Sequence, residues 1–200
     1  IHASSTRQVF FNEVKVPAEN LLGERNGGFK IAMNALNVGR IKLAAACLDA
    51  NRRIISESVK YGKERHQFGQ PIIEFGALKQ KIARMATKHW ISETGTYRAG
   101  QDIEDNIAKL TEEGLSPQQA KLKGVEEFAV ECAILKVHAS EAASFIADEG
   151  VQLFGGMGYS ADASMESAYR DVRIARIYEG TNEINRMLTV GMLLKKAMKG

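Results

Sequence analysis

Residues 29–61 read FKIAMNALNVGRIKLAAACLDANRRIISESVKY, and this stretch decides the fold. Its apolar residues recur at three- and four-residue spacings, which places them on one stripe of an α-helix. At about 1.5 Å of rise per residue, such a helix would be roughly 50 Å long. The stripe consists of Phe29, Met33, Leu36, Leu43, Cys47 and Ile54.

The residues after this helix predict further helices joined by short turns. Gly62, Gly69 and Pro71 interrupt the first helix, and a second is predicted from about residue 75 to about residue 106. Ser116, Pro117 and Gln119 form a capping box with proline at the first helical position, which predicts a third helix ending near Gly150. Shorter helices are predicted over 165–174 and 181–198. The sequence therefore predicts an all-α fold, an antiparallel four-helix-type bundle over residues 23–200.

The first segment of the chain has a different pattern. Five strand-forming residues precede Pro17, namely Val9, Phe10, Phe11, Val14 and Val16. One or two strands cannot bury their own faces. We therefore interpret residues 1–22 as a short β remnant at the N-terminus, belonging to an upstream β-domain.

Composition limits the classes of function. The 200 residues are 44% hydrophobic and carry a net charge of +3 with both signs interspersed, which argues against a nucleic-acid-binding stripe. No apolar run approaches the length of a transmembrane segment. Cys47 and Cys132 lie in apolar helical patterns and are predicted to be buried free thiols. The histidines have no metal-ligand spacing with one another or with the cysteines, so no metal site is predicted.

Two loops are open to more than one interpretation. In ERHQFGQP, residues 64–71, Arg65 can present a guanidinium fork to a phosphate, or it can simply complement a helix C-terminus. In FGGMGY, residues 154–159, the glycines let a backbone approach a ligand closely, or they serve turn geometry alone.

Glu179, in the stretch IYEGTN of residues 177–182, is also open to two interpretations. It precedes Thr181, a predicted helix N-cap, and a negative charge is favourable there. Its apolar neighbours Ile177 and Tyr178 can also shield the carboxylate from water, which suits a general base. Spacing alone does not decide between them.

The motifs together resemble the C-terminal half of the acyl-CoA dehydrogenase family of flavoproteins, with several features similar to the bacterial and very-long-chain branch. The segments that carry the resemblance are VPAENLLGERNGGF, NVGR, YGKERHQFGQPI, QLFGGMGY and YRDVRIARIYEGTNEINR. The resemblance implies an FAD-dependent enzyme that desaturates acyl-CoA thioesters between the α and β carbons. A carboxylate removes the α proton while hydride leaves the β carbon for the flavin.

The resemblance also implies roles for individual residues. Glu179 matches the catalytic base, and Gly39 stands where some family members carry the base instead. Asn37, Arg40 and Gly180 match substrate-binding positions. Two further sets match positions that contact FAD. The set that matches contacts with the FAD of a neighbouring subunit is Arg65, Gln67, Phe68, Gln152, Gly155 and Gly156. Thr181 and Glu183 match contacts with the FAD of the same subunit.

A cofactor shared between subunits implies a homodimer or homotetramer. The expected partners are an acyl-CoA substrate and an electron-transfer flavoprotein, with a bacterial cytoplasmic or mitochondrial matrix location. Because the family's other domains supply much of the flavin pocket, we expect the isolated chain to be inactive. An acyl-CoA oxidase and a non-catalytic helical oligomerisation module are the alternatives.

Overall fold

The computed structural model describes residue 1 and residues 4–199, and most of this part of the chain is helical. Short 3₁₀ turns cover Ala18–Asn20, Ile72–Glu74 and Ile174–Arg176. A two-stranded antiparallel hairpin pairs β1 (His66–Gln67) with β2 (Gln70–Pro71). The helices are α1 (Gly28–Glu64), α2 (Gly76–Glu112), α3 (Pro117–Glu127), α4 (Ala129–Phe154), α5 (Gly156–Tyr159), α6 (Ser164–Arg173) and α7 (Asn182–Lys199).

Helices that follow one another in the bundle run in opposite directions. Lys81 near the start of α2 pairs with Glu149 near the end of α4, so these two helices are antiparallel. The pairs Arg186–Glu141 and Lys196–Glu127 orient α7 against α4 and α3 in the same way. The all-α, antiparallel four-helix-type bundle predicted from the sequence is therefore confirmed.

The core lies between α1 and α4, which run parallel to each other at the centre of the bundle. Alanines on α4 pack against the stripe of α1 and allow the two helices to approach closely. Farther along, Ile54 of α1 meets Met85 of α2 and Ile146 of α4. At the far end, the rings of Tyr61 and Phe154 stack with centroids 4.1 Å apart.

The third predicted helix is interrupted, and it ends later than predicted. The capping box is confirmed, because Ser116 and Gln119 exchange side-chain-to-backbone hydrogen bonds of 3.3 Å. The helix breaks at Phe128 and then continues past Gly150 to Phe154. Gly150 is buried, and a Cβ there would lie 2.8 Å from Ile54 Cγ2, so close packing accounts for this glycine. Gly155, at φ +60°, ends the helix instead.

Residues 4–22 differ from the prediction, because the structure assigns no strand to them. Apart from the turn at Ala18–Asn20 they follow an irregular path, and their apolar side chains face solvent, with Phe10 76% and Phe11 79% exposed. A strand requires a hydrogen-bonded neighbour, and none lies beside this segment in the described chain. The domain predictions for 1–22 and 23–200 also include residues 2, 3 and 200, which lie outside the described residues.

Contrary to the sequence expectation, one of the described helices, α1, is long and apolar enough to cross a membrane, by length and composition alone. Its buried side chains include Leu43, Leu48 and Ile54, which face other helices of the bundle. They also include the polar residues Asn37 and Arg40. A stripe of this kind is typical of the core helix of a helical bundle.

Candidate active site

Glu179 lies in a tight turn between the 3₁₀ turn Ile174–Arg176 and α7. Glu179 and Gly180 both adopt left-handed backbone conformations, with φ of +58° and +81°. For a residue with a side chain this conformation costs about 1–2 kcal/mol, so the surroundings must impose it. Thr181 then caps α7 as predicted, because its Oγ1 accepts from the backbone N–H of Ile184 at 3.3 Å.

Two buried side chains hold this turn by its carbonyl oxygens. Asn185 Nδ2 donates to the carbonyls of Glu179, Gly180 and Thr181 at 3.3, 2.8 and 3.1 Å. Lys136 Nζ, from α4, donates to the Gly180 carbonyl at 2.7 Å. Neither residue was predicted from the sequence to have a role. The one available signal was Lys136 itself, a charged residue four positions after Cys132 on the apolar stripe of α4.

The Glu179 carboxylate lies directly against α1 at Gly39. A Cβ on residue 39 would be 2.4 Å from Glu179 Oε2 and 2.6 Å from its Cδ, closer than real contacts allow. Oε2 is buried and has no hydrogen-bond partner among the described residues. Buried polar atoms are nearly always paired, so an unpaired one requires an explanation, and a catalytic role is one of them. This oxygen is therefore free to accept a proton from a group placed beside it.

Arg40, on α1, reaches the backbone of Glu179, and Asn37 lies one turn before it and contacts Arg40. Arg40 Nε donates to the Glu179 carbonyl at 3.4 Å, and its NH1 donates to Asn37 Oδ1 at 2.8 Å. Arg40 is only 6% exposed, and this burial lowers the pKa of its guanidinium, while the nearby Glu179 and Cys132 oppose the shift. A guanidinium remains charged in proteins, so a fixed positive charge faces the turn.

Thr181 and Glu183 occupy the first turn of α7, beside the candidate base. The Glu183 carboxylate is exposed. A hydrogen bond from its own backbone N–H, and a second from the Thr181 hydroxyl, lower the pKa of the Glu183 carboxyl. Gly180 connects them to Glu179, so these sequence-predicted residues share one turn.

The two cysteines are buried free thiols, as predicted. Burial raises the pKa of Cys47 to about 11, with the charge of Lys136 opposing the shift. Burial likewise raises the pKa of Cys132 to about 11. Both thiols are therefore protonated near neutral pH and unsuited to act as nucleophiles.

The other predicted cofactor residues gather at the opposite end of α1. Arg65 and Gln67 of the hairpin, together with Gly155 and Gly156 after α4, line one open groove of about 630 Å³. Phe68 forms the tip of the hairpin at φ +52° and is 91% exposed. Gln152 lies on the last turn of α4, outside the groove lining.

The two groups of residues are far apart. Gly39 and Glu64 lie on the same helix, and 25 residues at about 1.5 Å each separate them by roughly 40 Å. The groove at Arg65 and the turn at Glu179 are therefore separate sites on this chain.

Comparison with known proteins identifies the family. The sequence model of the acyl-CoA dehydrogenase C-terminal domain matches residues 26–193. A probable acyl-CoA dehydrogenase of Bacillus subtilis (strain 168) is 44% identical over 200 residues, covering 100% of this chain and 34% of that protein. The mitochondrial very long-chain specific acyl-CoA dehydrogenase of Bos taurus is 40% identical over 187 residues, 94% of this chain and 26% of that protein.

A solved structure agrees with these sequence matches. The crystal structure of an acyl-CoA dehydrogenase from Bacillus anthracis, complexed with FAD, superposes with a TM-score of 0.88 at 44% identity. The superposed region includes 92% of this chain and 32% of the Bacillus anthracis chain. The chain thus spans about a third or less of the length of these relatives. The sequence matches and the fold agree, and the chain belongs to the acyl-CoA dehydrogenase family, with residues 26–193 matching its C-terminal domain.

Proposed function

We propose that this chain is the C-terminal part of an FAD-dependent acyl-CoA dehydrogenase that desaturates acyl-CoA thioesters between the α and β carbons. The observation that carries the proposal is Glu179 Oε2, a buried carboxylate oxygen without a partner among the described residues. In this proposal it receives the α proton of the substrate. The turn fixes the direction of the carboxylate, and such positioning contributes strongly to rate.

FAD, when bound, supplies the acceptor for the hydride that leaves the β carbon. Arg40 and Asn37 stand beside the carboxylate, where their fixed polar groups orient the thioester. Gly180 lies next to the base and offers no side chain to obstruct a substrate. Thr181 and Glu183 follow on the first turn of α7, where we propose contacts with the chain's own flavin.

The groove at the other end of α1 suits part of a dinucleotide. Arg65 is exposed, no described carboxylate lies within ion-pair distance of it, and a guanidinium binds a phosphate through two parallel hydrogen bonds. A Cβ on Gly155 or Gly156 would have no neighbour within 4 Å, so their backbone is open to a ligand. We propose that this groove, with Phe68 and Gln152 beside it, contacts the FAD of a neighbouring subunit.

Two separated flavin contacts on one chain imply a homodimer, or a homotetramer built from dimers. A site at Glu179 serves the chain's own flavin, and the groove roughly 40 Å away along α1 serves another. The assembly therefore follows from where the proposed contact residues lie.

The division of the chain at about residue 22 is also part of the proposal. The family match begins at residue 26, and the apolar side chains of residues 9–16 remain exposed in this structure. We propose that residues 1–22 belong with an upstream β-domain, and that residues 23–200 form the helical domain. Because the residues of this chain supply only part of a flavin pocket, the isolated chain should be inactive.

The electron acceptor and the location follow from the family. An electron-transfer flavoprotein is the proposed acceptor, and molecular oxygen, as in an acyl-CoA oxidase, is the alternative. The location is the cytoplasm of a bacterium, or the mitochondrial matrix of a eukaryote. A purely structural oligomerisation module is disfavoured because residues 26–193 match the C-terminal domain of an enzyme family.

The direct test uses the full-length protein and saturated acyl-CoAs of graded chain length under anaerobic conditions. The protein should purify with a yellow flavin that bleaches on addition of substrate, with the fastest rate defining the preferred chain length. Readmission of oxygen should restore the colour slowly in a dehydrogenase and rapidly in an oxidase. A protein without flavin, or a flavin that no acyl-CoA bleaches, would contradict the proposal.

A further inference from the structure

Lys136 is a lysine whose side chain lies entirely inside the bundle, with 0% of its surface exposed. Its Nζ donates to the Gly180 carbonyl at 2.7 Å and to Asn182 Oδ1 at 2.8 Å. Both acceptors belong to the segment that carries Glu179. Removing a charged ammonium from water is costly, and lysines are rarely buried completely. A conventional core position would carry a methionine or leucine here.

The ammonium has no carboxylate in direct contact, which distinguishes it from a structural ion pair. Within the described chain, no acidic side chain lies within salt-bridge distance of Lys136, and its hydrogen-bond acceptors are neutral oxygens. The charged and titratable groups that face it are Arg40 and Cys47 on α1, Glu183 on α7 and Glu179 in the turn. Burial, and then the charge of Arg40, lower the pKa of Lys136, whereas Glu183, Cys47 and Glu179 oppose the shift.

The contacts of Lys136 bear directly on the backbone conformation of the base. Glu179 and Gly180 are consecutive left-handed residues, and the left-handed conformation of Glu179 must be imposed from outside. Lys136 approaches the Gly180 carbonyl from α4, while Asn185 approaches the same oxygen from α7. Arg40 reaches the preceding carbonyl from α1. Three helices thus fix one turn, and Lys136 is the contribution of α4.

A hydrogen-bond network through Asn182 and Ser140 connects Lys136 to the start of α7. Asn182, which is 1% exposed, accepts from Lys136 and donates to Ser140 Oγ at 3.1 Å, one helical turn along α4. A buried hydrogen-bond network of this kind restricts its members to one arrangement. Movement of the ammonium would therefore move both the carbonyl after Glu179 and the first residue of α7.

We propose that Lys136 is a positioning residue for the base: through its hydrogen bonds to Gly180 and Asn182 it fixes the turn that aims the Glu179 carboxylate. The proposal rests on the function proposed above, since it concerns the same carboxylate. It adds a residue that does not touch the substrate.

The test compares four variants of the full-length holoenzyme. Lys136→Met removes the charge and the hydrogen bonds, whereas Lys136→Arg keeps the charge but changes the geometry. Lys81→Met is the matched control, because Lys81 is a half-buried lysine on α2 whose ion pair with Glu149 does not contact the turn. Glu179→Gln reports whether the carboxylate is the base at all. Rates are expressed per bound flavin, so that lost cofactor does not count as lost catalysis.

The expected results have three parts. Lys136→Met should lower the rate of flavin reduction about 100-fold with little change in KM, because a misplaced base loses its alignment. Lys136→Arg should also reduce kcat, because a guanidinium cannot reproduce the hydrogen-bond geometry of the ammonium. Amide hydrogen exchange in residues 178–182 should accelerate in Lys136→Met and not in Lys81→Met.

Three results would overturn the proposal. The first is a Lys136→Met enzyme that loses thermal stability but retains normal kcat and normal hydrogen exchange in the turn, because Lys136 would then be structural only. If Lys136→Met fails to fold, a normal kcat in Lys136→Arg contradicts the proposal in the same way. Full activity in Glu179→Gln would instead overturn the underlying function.

Discussion

Glu179 and Gly39 form the sharpest constraint in the site, because they occupy the same small space. The carboxylate fills the volume where any other residue at position 39 would place its Cβ. The sequence resemblance suggested that the two positions are alternatives for the base. The structure adds the steric reason: in this arrangement of the turn, a side chain at residue 39 and the Glu179 carboxylate exclude each other.

Gly39→Ala therefore tests the position of the carboxylate without changing any charge. The new Cβ would lie 2.4 Å from Oε2, so the carboxylate must move. A displacement of about 1 Å can reduce a rate about 100-fold, and we expect a loss of that size in flavin reduction by acyl-CoA. Flavin content should stay normal. Gly28→Ala is the control, because Gly28 is also in α1 and a Cβ added there would have no neighbouring atom within 4 Å. An equal rate of flavin reduction in the two variants would contradict the account.

The candidate site was only partly predictable from residues. Glu179, Arg40 and Asn37 were predicted because several motifs together resemble one family, and the structure places the three residues near one another. Asn185 and Lys136 were missed because their partners are backbone carbonyls of another segment. Such contacts arise from tertiary packing, and the spacing of residues along the sequence does not predict them.

At the scale of elements, helix existence and type were predictable, whereas the ends of helices were less so. The period of three to four residues located α1 and α2, but α2 continues to Glu112, past the predicted end near residue 106. Gly150 was interpreted as a helix end, since glycine commonly ends helices. Its actual reason, contact with Ile54 across the core, depends on a neighbour nearly a hundred positions away.

Gly150→Ala tests this packing interpretation directly. A Cβ there would lie 2.8 Å from Ile54 Cγ2 and 3.1 Å from Met165 Sδ, and overpacking of this kind typically costs about 1–3 kcal/mol. Gly100 lies in α2, and a Cβ added there would have no neighbouring atom within 4 Å. Gly100→Ala should therefore stabilise its helix by about 0.5–1 kcal/mol, because alanine has the higher helix propensity. Urea unfolding of the 200-residue chain, followed by circular dichroism, measures both. Stabilisation by both alanines would contradict the role assigned to Gly150.

At the scale of the whole molecule, the two proposed flavin contacts lie at opposite ends of α1. The all-α class followed from helical periodicity, but the spatial grouping of the site residues did not. Arg65 and Gly155 are 90 positions apart, and only the parallel packing of α1 with α4 brings them to one groove. Residues 9–16 were predicted as strand because their residue types favour strands. The structure assigns no strand there, because a strand also needs a hydrogen-bonded neighbouring strand.

Arg65→Ala tests the groove and the assembly together. Loss of the guanidinium should weaken FAD retention about tenfold or more, since hydrogen bonds to charged groups contribute about 1.5–3 kcal/mol. The measurement is the flavin-to-protein ratio after dialysis of the full-length protein, with its mass in solution determined in parallel. Lys109→Ala, an exposed residue far along α2, is the control. Unchanged flavin retention would count against a phosphate contact at Arg65.

The most direct test of the central claim is anaerobic flavin bleaching by a saturated acyl-CoA in full-length Glu179→Gln. Glutamine preserves the size of the side chain but cannot take up the α proton, and loss of a general base typically costs about 100- to 10,000-fold. The account predicts a yellow enzyme with normal flavin content that bleaches slower by that factor, while Glu112→Gln, exposed on α2, behaves as the unmodified protein. Bleaching of Glu179→Gln at the normal rate would contradict it.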